Sequence, residues 1–166
     1  MVQYSVEDYT IEDDDSTLLI DDSAYYTSEN NTTIGWFAQA SGLFDDSIED
    51  SVSFQNGTTA VVGSFQSYIN FGYEFPGPQS TNGQGDVDFY IAWLDENGTW
   101  LSGIGGGSPG FDIINSIEKL SSGDIVVSGN YCYDTVDEEC SLTLEGLDPI
   151  NKTNAADDGN AFLARM

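Results

Sequence analysis

SVSFQNGTTAVVGSFQ, residues 51–66, decides the fold. Two strand-like runs, Ser51-Val52-Ser53-Phe54 and Ala60-Val61-Val62-Gly63-Ser64-Phe65, flank Asn56-Gly57. An Asn-Gly pair reaches the positive-φ backbone of a tight turn, and β-branched and aromatic side chains suit a pleated strand, so the stretch predicts a hairpin. Ser116-Ile117-Glu118-Lys119-Leu120, then Ser122-Gly123, then Ile125-Val126-Val127-Ser128-Gly129-Asn130-Tyr131, predicts the same hairpin again. Between them VDFYIAWL, residues 87–94, predicts a strongly apolar strand ended by the turn Asp95-Glu96-Asn97-Gly98, with Trp100 beyond. Residues 51–73 carry no charge in a chain with 29 acidic side chains, so they are expected to be covered. Helical periodicity is scarce. Residues 113–120 hold a trace of it, opposed by their β-branched residues and neighbouring glycines. The expected fold class is all-β.

The units recur. Gly35-Trp36-Phe37 matches Thr99-Trp100-Leu101 at an offset of 64, Ser51-Val52 matches Ser116-Ile117 at 65, and Gly63-Ser64-Phe65 matches Gly129-Asn130-Tyr131 at 66. Residues 88–94 match residues 160–166 at 72, the second unit being lengthened by an insertion bracketed by Cys132 and Cys140. The expected organisation is an acidic N-terminal segment, 1–33, and a two-repeat β domain, 34–166, divided at about 34–98 and 99–166. The order of these pieces (residues 88–100, Gly105-Gly106, Asp112, Ser116-Ile117 and residues 123–129) resembles the β-propeller-type repeats of prokaryotic cell-surface proteins over residues 34–166. The resemblance implies antiparallel blades and an extracellular life, and no fixed enzymatic activity. Propellers close with typically four to eight blades, so two propeller-blade-like repeats are not a closed propeller on their own. Such a pair exposes strand edges that invite pairing with another chain; either residues 1–33 fold back onto them or a neighbour supplies a strand. Residues 1–10 alternate, with Val2, Tyr4 and Val6 on one side, and are the expected exchanged strand and subunit contact; residues 17–20 and 24–27 are further strand candidates.

Charge narrows the setting. Three basic side chains against 29 acidic ones and no His give a net charge of −26. Nucleic acid is excluded as a partner, since phosphate needs a basic footprint, and docking on anionic lipid is opposed. No basic residue precedes Lys119, so self-repulsion must be relieved by salt, bound cations or low pH. No segment has the ~20 apolar residues of a membrane span, so no membrane insertion is expected. Residues 1–10 have neither the basic flank nor the apolar run of a signal peptide. Asn30, Asn31, Asn56, Asn97 and Asn151 each open an Asn-x-Ser/Thr triplet and are candidate glycosylation sites. Cys132 and Cys140 are expected to form a disulfide, against the alternative of a reduced cytosolic pair. The expected location is extracellular or at the cell surface.

Carboxylates gather at predicted turns. Asp86 and Asp88, with their counterparts Asp157 and Asp158, are the best candidates to hold Ca²⁺, which takes 6–8 oxygen ligands; the plainer role for such residues is to make turns. Asp13-Asp14-Asp15 and Asp21-Asp22 read as solvated linker. Trp36 and Trp100 occupy matched positions and are assigned to packing, while Trp93 faces Arg165 in the alignment and is the aromatic to test for sugar stacking. Without His no Ser-His-Asp or Cys-His set exists, and the glycines between 103 and 110 lack the Lys of a phosphate loop. The expected function is a non-enzymatic structural subunit of an extracellular filament or surface assembly. It is joined to itself or to related subunits by strand addition and has no essential cofactor. The alternative is a calcium-dependent glycan-binding or adhesion module.

Overall fold

The computed structural model describes residues 35–72, 87–133, 140–152 and 159–166. The regular elements among them are all strands, paired antiparallel. They are β1 (Ser41–Gly42), β2 (Asp50–Ser53), β3 (Thr59–Gln66), β4 (Ile69–Asn70), β5 (Val87–Leu94), β6 (Trp100–Gly107), β7 (Phe111–Lys119), β8 (Ile125–Tyr133), β9 (Ser141–Leu144), β10 (Ile150–Asn151) and β11 (Asn160–Arg165). A large sheet runs β10-β9-β6-β5-β3-β2, a small one β11-β8-β7, and β1 pairs with β4. Neither larger sheet closes on itself. The segment with the trace of helical periodicity is strand β7, interrupted by irregular register at Phe111/Ile113 and Ile114/Ser116; pairing with β8 overrides the local spacing.

Both expected hairpins form, with the same turn. The amide of Phe54 donates to the carbonyl of Thr58 at 2.8 Å, and that of Gly57 to Phe54 at 3.0 Å. Leu120 donates to Asp124 at 2.8 Å and Gly123 to Leu120 at 3.0 Å. Gly57 and Gly123 close these turns at φ 87° and 95°, where a side chain would be strained. The third strand is added in the same register on each: Val61 opposes Ala92 and Gly63 opposes Tyr90, while Val127 opposes Ala164 and Gly129 opposes Phe162. Gly63 lies beneath the Tyr90 ring and the Ser47 carbonyl, and Gly129 beneath the Phe162 ring and the Ile113 carbonyl, so neither has room for a Cβ.

The sheets stack face to face around one core. Ala60, Val62, Phe89 and Ile91 of the large sheet meet Ile114, Ile117, Ile125, Val127, Tyr131 and Phe162 of the small one. Phe89 and Phe162 stack with ring centroids 5.2 Å apart. The other face of the large sheet, Val61, Tyr90, Ala92, Leu94 and Trp100, is covered by Ile69 and Phe71, with Ala38 and Ala40 packed alongside. Each fully buried side chain of this kind contributes about 1.5–3 kcal/mol. Val127 and Phe162 are the register counterparts of Val61 and Tyr90. The small sheet therefore packs through the face that the large sheet turns outward, and the stacking is head to tail.

Polar groups fasten the two sheets. The Asp50 carboxylate accepts the amide of Ile117 across the interface at 3.0 Å and that of Ser51 at 2.8 Å. These hydrogen bonds hold its pKa below the ordinary 3.8. Lys119 Nζ donates to the Ser53 carbonyl at 2.8 Å and lies 5.4 Å from the centre of the Phe54 ring. Tyr90 donates its hydroxyl to the Ser47 carbonyl at 2.9 Å, and burial foremost keeps that phenol protonated well above its ordinary range.

Candidate functional site

One open margin lies at the outer edge of the small sheet. β8 occupies one edge of β11, and no strand among the described residues pairs with the other. Beside this edge runs a groove of about 300 Å³, largely apolar, lined by Leu142, Leu144, Leu147, Asp148 and Ile150 from the β9–β10 side and by Phe162, Leu163, Ala164 and Arg165 from β11. Leu163, on the outward face, is 75% exposed, although its register counterpart Ile91 is fully buried. Arg165 closes the end of β11 with its guanidinium on Asp124, the Nε at 2.9 Å. That bond, ahead of the Ser122 hydroxyl, holds the Asp124 carboxyl below its ordinary range. A strand edge without a described partner strand, beside a groove, can accept an extended chain: the backbone supplies hydrogen bonds and the groove takes alternate side chains.

A second cluster is buried. The Asp112 carboxylate accepts from the amide of Ser108 at 2.6 Å, from its hydroxyl at 2.8 Å and from the amide of Cys132 at 2.9 Å. Lys152, also buried, donates Nζ to the Cys132 carbonyl at 3.4 Å. Cys132 and Cys140 are joined in the expected disulfide. Asp88 is 1% exposed on β5, and its carboxylate fills the space where Gly107 would carry a Cβ. The groove does not reach this cluster, whose hydrogen bonds fasten the end of β8 to the β6–β7 turn. Nothing in the sequence marked Lys152 as a buried lysine.

Of the proposed calcium ligands, Asp86, Asp157 and Asp158 lie outside the described residues, as do Val2, Tyr4 and Val6 and the sequons at Asn30 and Asn31. Among the described residues no group of three or more metal-ligating side chains occurs. Asn56, Asn97 and Asn151 are exposed. The oxygen of Asn56 accepts the Thr58 amide at 3.1 Å in the β2–β3 turn, and Asn97 stands in the β5–β6 turn capped by Asp95. Trp93 is half-buried against the core between the sheets. Trp100 is buried, donating Nε1 to the Gln39 carbonyl at 3.0 Å with Phe71 against its ring. Trp36 is 37% exposed and lies over Gly98. No helix of the described residues is long and apolar enough to cross a membrane. No protein-family model matches the chain, and a search of curated proteins finds no match.

Proposed function

We propose that this chain is a non-enzymatic structural subunit of an extracellular filament or surface assembly, joined to further copies by β-strand addition. The observation that carries this reading is the β11 edge, bordered by an apolar groove and by exposed Leu163. An edge that no described strand covers is a hazard in a monomer and a joint in a polymer. The disulfide and the exposed sequons suit an oxidising, glycosylating exterior. The net charge of −26 suits a surface coat whose self-repulsion is screened by salt, so assembly strengthens as ionic strength rises.

Electron microscopy of the purified protein in high salt tests the reading. Regular polymers are expected from the wild type and none from Leu163→Asp, which adds a charge beside the joint without touching the core. Uniform single particles from the wild type would sink it.

A further inference from the structure

We propose that the strand completing the small sheet is residues 35–42 of a second copy of this chain, added antiparallel along β11 with Trp36 seated in the groove. This rests on the strand-addition reading above and names its donor.

The molecule already holds one example of the joint. β5 is flanked by β3 and, on its other edge, by β6, with Ile91 opposite Ile104, Tyr90 opposite Gly105 and Phe89 opposite Gly106. β11 stands to β8 as β5 stands to β3. The place beside β11 is thus the place of a β6. Residues 35–42 are the stretch that matches the start of β6, Gly35-Trp36-Phe37 lying 64 before Thr99-Trp100-Leu101. Carrying the register across sets Ala40 of the second copy opposite Leu163, Ser41 opposite Phe162 and Gly42 opposite Ala161.

Packing agrees with this transfer. Ile104 of β6 packs into the core that covers the small sheet's inner face. Ala40, its counterpart, packs with Ala38 on the outer face of the large sheet, which is the equivalent face. The donor segment is therefore already laid on its own large sheet as β6 is laid on the small one, and a second copy can dock without unfolding.

Exposure and charge agree as well. Trp36 is 37% and Phe37 75% exposed on the donor, and Leu163 is 75%, Ile150 44% and Leu147 41% exposed on the acceptor. Residues 30–44 carry no charge, and one of the chain's three basic side chains, Arg165, ends the acceptor strand. Large aromatic side chains entering a pocket dominate association energies, which assigns the anchor to Trp36. The donor segment and the small sheet lie on opposite faces of the large sheet, so the contact is heterologous, joining different surfaces of successive copies.

Two variants, Ala40→Cys and Leu163→Cys, mixed in equal amounts under mild oxidation, test the pairing. A disulfide between position 40 of one chain and position 163 of another is expected, identified by mass spectrometry, with none when Gln39→Cys replaces Ala40→Cys. Trp36→Ala is expected to weaken association about tenfold or more. Polymers that persist without the cross-link, and that pair position 163 with a Tyr4→Cys variant instead, would overturn this donor and leave strand addition standing. Failure of the wild type to associate at all would overturn both.

Discussion

The two sheets begin alike and finish differently. Each starts with the same hairpin turn and adds a third strand in the same register over a glycine roofed by an aromatic ring. The large sheet is then covered on both faces and extended by β6, β9 and β10. The small sheet is covered on one face by the large sheet and has β11 at its margin. The same backbone plan therefore yields a layer covered on both faces in one case and a layer with an exposed outer face in the other. What separates them is the neighbour each sheet has, and the sharpest sign is one pair of equivalent residues: Ile91, fully buried, and Leu163, 75% exposed.

Substitutions at that pair give the largest contrast. Ile91→Ala should destabilise the fold by about 2–5 kcal/mol, because it opens a cavity between the sheets. Leu163→Ala should change monomer stability by less than about 0.5 kcal/mol and act on association instead. Denaturant melts of both at low concentration check this, and equal losses would erase the distinction between the sheets. Reduction of Cys132–Cys140 comes next. Opening so short a loop should cost about 2–3 kcal/mol in the chain-entropy model, and it loosens the end of β8, where Cys132 meets Asp112 and Lys152. A melt with and without reductant reads it. Gly63→Ala and Gly129→Ala should each cost about 1–3 kcal/mol by overpacking, since both lie under a ring and a carbonyl. A large effect at only one would show that the two hairpins carry unequal strain.

The smallest effect concerns the seam. Asp50→Ala should cost about 1 kcal/mol by removing the acceptor for the Ile117 amide. Its pKa is depressed in the fold, so its contribution is complete above the unfolded value, near 3.8, and is lost as pH falls through the lower folded value. Acid below about pH 4 should therefore weaken the wild type through this group, and the variant should lack that share of the loss. Thermal melts of the two proteins between pH 5 and pH 2 give the comparison.

Much of the layout was legible in the residues. The hairpins and the bounds of β5 follow from turn residues and from a charge-free run in an acidic chain, both local signals. The disulfide followed from two cysteines eight apart with no competitor. Which core each strand face packs into was not legible, because Val61 and Val62 are the same residue type and only their neighbours differ. Nor was the fate of Asp88 and Asp112. Both read as turn carboxylates, since residue type does not reveal that the amides of Ser108 and Cys132 converge on one of them. The groove beside β11 was hidden for a similar reason: Leu142 and Leu144 line it with β11 only after the chain has folded back from the disulfide. The leading strand expected to bear Val2, Tyr4 and Val6 lies outside the described residues, and the donor now proposed came from carrying the register of one sheet onto the other.

The central claim is that the small sheet is finished by another molecule. Light scattering on the wild type across a concentration series in high salt addresses it directly. Masses that climb in steps of the 18.0 kDa chain are predicted. A single species of that mass at every concentration would contradict it.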